Sequence, residues 1–412
     1  MTQTEGGLLQ QILDYSNRPN PYPLYAELRK NPVHNEGTGV YVVSTYHEIR
    51  SLLHDPRVSS DLHNMTLPGP PRLEQPEDSG LPPSFIRQDP PEHDRMRRMT
   101  NASFGPPHSP RRIDELRGDL AKVVSGLIDG IANTERIDLV EQVSYPFPVT
   151  AICRLLGVPR EDEPRFHGWA DTLAASLDPM PGQDPTERNR LAQQARTELG
   201  MYFAGLIEER RKNPKDDMLS ELSTRGGPDG TMTTMELLST SALLLIAGHE
   251  TTVNLITNGM LTLLRNPDQL QRLREDPRLA VPIVEELLRF EPPVQLMPNR
   301  TPLADIDICG VTIPKGSSLW LIAAAGNRDP LRFAHPDRFD PDRGDIQHLG
   351  FGSGIHSCFG APLARMEGQL ALSELARRLV NPRLLEDPPE YRQNAVLRGP
   401  RHLPIACDDI RP

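Results

Sequence analysis

One long helix constrains everything else in this chain. Thr233 and Glu236 form a capping box, and helical spacing then runs without a break to Asn266-Pro267. At about 1.5 Å per residue this is a rod of roughly 50 Å. A rod of that length crosses a whole domain, so the other elements must pack around it. Its apolar run SALLLIAG, 241–248, falls far short of the ~20 residues needed to cross a bilayer, which makes it a buried core helix. In its middle sits AGHETT, 247–252, where a glycine and two β-branched threonines replace better helix formers. A local rule broken at the centre of a buried helix marks a place where function is expected.

A second such place is FGSGIHSCFG, 351–360, in a chain with four cysteines. Its glycines let the backbone turn sharply and aim amide N–H groups at the sulfur of Cys358. The helix that follows, APLARMEGQLALSELARRLV, tolerates Pro362 in its first turn and points its positive end at that sulfur, which favours thiolate over thiol. Leu363, Met366 and Leu370 line one side of this helix, and Leu372, Leu375 and Leu379 the other, so it is buried on both. A thiol in such a setting is most often core filling. His356 offers it a base as a hydrolase nucleophile, without the surroundings of a cysteine protease. As a lone thiolate it suits the iron of a heme, where the porphyrin supplies the other four donors. Cys153, Cys309, Cys358 and Cys407 are too widely spaced for a disulfide scaffold or a structural zinc site.

The rest of the chain reads as mainly helical with small sheets. VYVVST at 40–45, DIDIC at 305–309 and SLWLIA at 318–323 are the expected strands. Length alone, 412 residues, suggests more than one core, yet no linker or repeat interrupts the pattern, so a single domain over 1–412 is expected. Eight of the 43 prolines lie between Pro68 and Pro91, and DPMPGQDP spans 178–185. Both stretches read as functional loops. Lys and Arg number 45 against 56 Asp and Glu, a net charge of −11, which argues against nucleic-acid binding while leaving room for a local basic patch. The N-terminus has neither a basic nor an apolar leader region, so a cytoplasmic, membrane-free protein is expected.

Phe351-x-x-Gly354-x-His356-x-Cys358-x-Gly360 resembles the heme-thiolate signature of the cytochrome P450 superfamily, and the chain around it resembles the soluble bacterial branch. The resemblance implies the mostly α triangular prism with a small β-rich region, heme b clamped between the 233–265 helix and the helix after Cys358, and Cys358 as the iron ligand. Phe351, Gly352, His356 and Gly360 would then surround the cofactor. His93, Arg97 and Arg300 would join His356 at its propionates, where charge-assisted hydrogen bonds offset the negative charge. Glu286-Leu287-Leu288-Arg289 resembles the Glu-x-x-Arg helix of the family, whose partner arginine would be Arg338 in Pro336-Asp337-Arg338-Phe339, with Asp in place of Glu. In AGHETT, Ala247 and Gly248 would clear room for dioxygen, and Glu250 with Thr251 matches the acid–alcohol pair that delivers protons before the O–O bond breaks.

By the same resemblance the chain is a monooxygenase that inserts one atom of dioxygen into an apolar small molecule, by hydroxylation or epoxidation in secondary metabolism, with electrons from a separate ferredoxin and ferredoxin reductase. A peroxide-using peroxygenase and a heme-based sensor without turnover share the motif. Leu243, Leu244, Val294, Leu296, Met297 and Val396 would line the substrate pocket, with the 58–90 and 178–186 loops as lids. A basic patch including Arg98, Arg111, Arg112 and Arg365 would dock an acidic ferredoxin. A monomer is expected.

Overall fold

The long helix forms where its cap places it. The Thr233 hydroxyl accepts from the Glu236 amide at 3.2 Å, and the Glu236 carboxylate accepts from the Thr233 amide at 2.8 Å, so the first turn satisfies its own orphan donors. The helix runs Thr234–Arg265 and stops at Asn266, after which Pro267 opens a new helix at its first position. The computed structural model describes residues 7–37, 39–67, 83–104, 110–131, 136–177, 184–226 and 229–412.

Six helices position the site: α1 (Glu92–Phe104), α2 (Pro146–Leu156), α3 (Glu163–Leu177), α4 (Thr234–Arg265), α5 (Ala280–Phe290) and α6 (Ala361–Arg378). α4 is the rod at the centre, packed against α2, α3, α5 and α6. It meets α5 and α6 at Gly259, where an added methyl would stand 3.0 Å from both Leu287 and Leu372. The main apolar cluster gathers around this crossing and includes Leu255, Ile256, Leu287, Leu372 and Leu375. Each such buried side chain contributes about 1.5–3 kcal/mol. α6 is buried on two sides, with Leu363, Met366, Leu372, Leu375 and Leu379 inside and Leu370 half-buried.

The main sheet joins β1 (Val33–Gly37), β2 (Val40–Val43), β3 (Val58–Ser59), β4 (Met297–Pro302) and β5 (Ser318–Leu321) in the order β1-β2-β5-β4-β3. Val40–Val43 pair in parallel with Ser318–Leu321, and Arg300 of β4 pairs with Leu319. All four residues of β2 and of β5 are buried, as expected for a parallel pair covered on both faces. The expected 305–309 strand is Ile306–Ile308, in a hairpin with Val311–Ile313. The expected 318–323 strand ends at Leu321, because Ala323–Gly326 turn into a short helix. Among the described residues no helix is long and apolar enough to cross a membrane. Residues 68–82 of the expected 58–90 lid and 178–183 of the second lid lie outside the described residues.

Candidate active site

The cysteine loop closes on itself just before α6. The Cys358 amide donates to the Phe351 carbonyl at 2.8 Å and the Gly352 amide to the Leu349 carbonyl at 2.8 Å. Gly352 and Gly354 have φ of +66° and +70°. At Gly354 any side chain is excluded twice, since an added methyl would also lie 2.1 Å from the Leu53 carbonyl oxygen. Gly360 has an ordinary φ of −78° and is the cap residue of α6, and its amide, with that of Ala361, points at the Cys358 sulfur. Cys358 is exposed, but surrounding protein desolvates its sulfur enough to push the thiol up. The opposing pull of the two amides, Arg97 and Arg365 is weaker. A helix mouth lowers a thiol pKa only when its field exceeds the desolvation penalty.

A basic cluster lies beside the loop. The Arg97 guanidinium of α1 donates to the Ser357 carbonyl at 2.7 Å. The His93 and His356 rings stand 4.3 Å apart. Nδ1 of His93 meets Asp94 at 2.8 Å, yet Nε2 of His93 and Nε2 of His356 are both buried with no partner among the described residues. Buried ring nitrogens normally have partners. Burial, followed by the positive charges of Arg300, His93 and Arg97, pulls His356 down to about 3. Burial and the nearby Arg87 pull Arg300 down to about 10, against the weaker help of Asp89. Two orphaned nitrogens among cations call for a carboxylate-bearing group, and the adjoining lone sulfur calls for a metal that needs one protein ligand. The residues therefore fit heme b. Arg87 was absent from the sequence reading. Its only signal there is its position two residues before Asp89 in the stretch that leads to His93.

Opposite in kind is the open stretch of α4. Ile246 and Ala247 are exposed and Leu243 and Thr251 half-buried, while 21 other residues of this helix are buried. The Thr251 hydroxyl donates to the Ala247 carbonyl at 2.7 Å, which leaves its oxygen free to accept. Gly248 lets α4 approach α2: its missing side chain faces that helix, where an added methyl would lie 2.7 Å from Ile152. Glu250 is buried and ion-paired, its Oε1 3.0 Å from Nε of Arg392. For the pocket, Gln295 N–H to the Val396 carbonyl at 2.9 Å and a bridge between Val294 and Leu397 bring 294–297 beside 396. Val294, Met297 and Val396 remain partly accessible. Leu244 and Leu296 do not line it: the first sits in the main core and the second, fully buried, packs among Ile12, Tyr25 and Trp320. Ile246, exposed on the same stretch, is not among the expected lining residues; its i+3 spacing from Leu243 was the signal for it.

The Glu286–Arg289 pair is fully buried and bidentate, with both N···O distances 2.7 Å. Its third partner is corrected. Arg338 is exposed and contributes only its carbonyl, to Arg289 at 3.1 Å. The side chain that reaches Glu286 is Arg343, at 3.0 Å. The expected basic patch is also neutralised in place: Arg98 pairs with Asp229 at 2.7 Å, Arg112 with Asp216 at 3.3 Å and Arg365 with Glu285 at 2.6 Å. The side chain of Arg111 lies outside the described residues.

Comparison with known proteins gives matches along nearly the whole chain. The family model for cytochrome P450 matches residues 68–402. The cytochrome P450 monooxygenase PikC of Streptomyces venezuelae is 40% identical over 396 residues, 94% of this chain and 91% of that one. The vitamin D(3) 25-hydroxylase of Pseudonocardia autotrophica is 38% identical, over 94% of this chain and 93% of its own. The Bacillus subtilis bacillaene polyketide synthase cytochrome P450 PksS superposes with a TM-score of 0.86 at 31% identity, covering 96% of this chain and 99% of that one. A sulfur at a helix mouth, a carboxylate-hungry basic cluster and full-length likeness at these identities have one common explanation: the chain belongs to the cytochrome P450 family of oxidoreductases and uses heme b.

Proposed function

We propose that this enzyme inserts one oxygen atom of dioxygen into a large apolar organic substrate, using electrons from a separate ferredoxin and ferredoxin reductase. The observation that carries the reading is the open stretch of α4. There an otherwise buried helix presents a hydroxyl, Thr251, next to a buried carboxylate, Glu250, on an apolar face. Cys358 would hold heme b through its sulfur, and His93, Arg97, Arg300 and His356 would bind its carboxylates; the group would supply the oxygen-activating chemistry. Leu243, Ile246, Val294, Met297 and Val396 exclude water and present no charge to the substrate. Thr251 holds the delivered proton at its Oγ1, and Glu250 replaces it.

Thr251→Ala tests the role of the hydroxyl. Alanine is the better helix former, so α4 persists, and the cavity keeps its shape. Reduced nicotinamide is consumed at a comparable rate, while product per nicotinamide falls several-fold and hydrogen peroxide rises. Unchanged coupling would assign the proton to another hydroxyl. Glu250→Gln instead slows turnover itself, by about 100-fold or more, since an amide cannot pass a proton on.

For the substrate, a polyketide and vitamin D(3) head a panel screened by type I spectral shift, because two similar proteins carry those words in their names. An apolar compound is expected to give a saturable shift. A shift confined to charged compounds would overturn the apolar reading. Nicotinamide consumption that depends on substrate and on both electron carriers separates this function from peroxide use and from heme sensing.

A further inference from the structure

The segment that leads into the cysteine loop is held residue by residue. The Leu349 amide donates to Oδ1 of Asn327 at 2.6 Å. At Gly350 an added methyl would lie 2.4 Å from the Leu288 carbonyl oxygen of α5, so the chain lies on that helix with no room for a side chain. The Phe351 carbonyl accepts from the Cys358 amide at 2.8 Å. His348 opens the segment. The Gly350 amide donates to its Nδ1 at 3.1 Å, so the ring hydrogen sits on Nε2, and Nε2 donates to the carboxylate of Glu285 on α5 at 3.2 Å. A second partner of that carboxylate is Arg365 of α6, which donates twice, at 2.6 Å and 3.0 Å. The Arg365 guanidinium lies 4.6 Å from the centre of the Phe351 ring, and the His348 ring stands 5.9 Å from the same ring. One carboxylate thus ties α5 and α6 to the loop that carries the sulfur. Burial pushes Glu285 up, but the hydrogen bonds from His348 and Arg365 outweigh it and hold the carboxyl down at about 2.

We infer that Glu285 is a positioning residue for the sulfur ligand: it holds His348 and Arg365 against Phe351, and it balances an Arg365 charge that would otherwise act on Cys358 in full. The inference rests on the reading of Cys358 as the ligand of the heme iron. Its geometric part is the chain of contacts just given, from the Glu285 carboxylate through two side chains packed on Phe351 to the carbonyl that receives the Cys358 amide. Its electrostatic part follows from the pairing. The Arg365 charge reaches the Cys358 sulfur, and an opposite charge at hydrogen-bond distance from Arg365 cancels much of that field. One-electron reduction makes the iron site more negative. An unbalanced Arg365 therefore favours the reduced form, and an unbalanced Glu285 the oxidised form.

The test is the midpoint reduction potential of the heme-loaded enzyme, titrated with small redox dyes so that no protein carrier has to dock. It compares Glu285→Gln, Glu285→Asp, Arg365→Gln and the double variant Glu285→Gln with Arg365→Gln. Glu285→Gln is expected to raise the equilibrium constant for reduction several-fold, where tenfold is a shift of about 59 mV for one electron. Arg365→Gln is expected to lower it by a similar factor. The double variant is expected to return close to wild type, because the charges balance again, and Glu285→Asp to stay close to it, because the charge is kept. A role in folding alone would move both single variants the same way. Arg365 is 38% exposed, so Arg365→Gln folds even if Glu285→Gln does not, and its downward shift then decides. Shifts of one sign in both single variants, or none in either, with the red-shifted carbon monoxide band intact, would overturn the role of Glu285 and leave Cys358 on the iron. A red-shifted band retained in Cys358→Ser would remove the ligand, and this inference with it.

Discussion

Replacing Cys358 by serine is expected to abolish the strongly red-shifted Soret band of the ferrous carbon monoxide complex and to remove monooxygenase turnover. Loss of partners around a metal ligand alone costs about 10–100-fold, so loss of the ligand itself costs at least that much. No other cysteine can take over. Cys153 is buried in the main core with its thiol pushed far up by burial, Cys309 sits exposed at a hairpin turn beside Glu48, and Cys407 is near the C-terminal strands. The loop around Cys358 is built from backbone: the Phe351 carbonyl, the Gly352 turn and the amides of Gly360 and Ala361. Serine fits the same backbone, so the variant should fold and bind heme weakly while lacking the thiolate signature. Retention of the band in Cys358→Ser would remove Cys358 from the iron.

What the sequence made legible were features carried by neighbours along the chain. The capping box at Thr233, the stop at Asn266-Pro267 and the cysteine loop involve only local spacing, and each formed where it was expected. β4 was invisible because MPNRTP, 297–302, contains two prolines and lacks strand alternation. It exists because β5 and β3 flank it. The packing role of Gly248 was hidden for a similar reason: its position in AGHETT says nothing about Ile152, nearly a hundred residues earlier, which presses against it. At Cys358 the helix dipole is a local feature, whereas the desolvation that opposes it sums every element packed nearby. Arg392 gives no local signal at all, and its pairing with Glu250 across the fold is a tertiary fact.

The same limit governs the second large expected effect, at the buried Glu286–Arg289 pair. Both side chains have no exposure, and their bonds radiate into the loop before the cysteine. Arg289 donates to the carbonyls of Asn327, Pro336 and Arg338, while Glu286 accepts from the Asp340 amide at 2.8 Å and from Arg343 at 3.0 Å. Removing either partner leaves a charge buried and alone, which costs about 3–5 kcal/mol, a large part of a typical total of about 5–15 kcal/mol. Glu286→Gln and Arg289→Ala should therefore yield little folded, heme-loaded protein, read as lost midpoint in thermal unfolding. The corrected network makes the finer comparison decisive. Arg343 is 9% exposed and gives Glu286 a charged hydrogen bond, so Arg343→Ala should cost about 1.5–3 kcal/mol. The Arg338 side chain is exposed and its carbonyl survives substitution, so Arg338→Ala should stay within about 0.5 kcal/mol of wild type. Equal losses in the two variants would return the partner role to Arg338, the residue that motif position alone had selected.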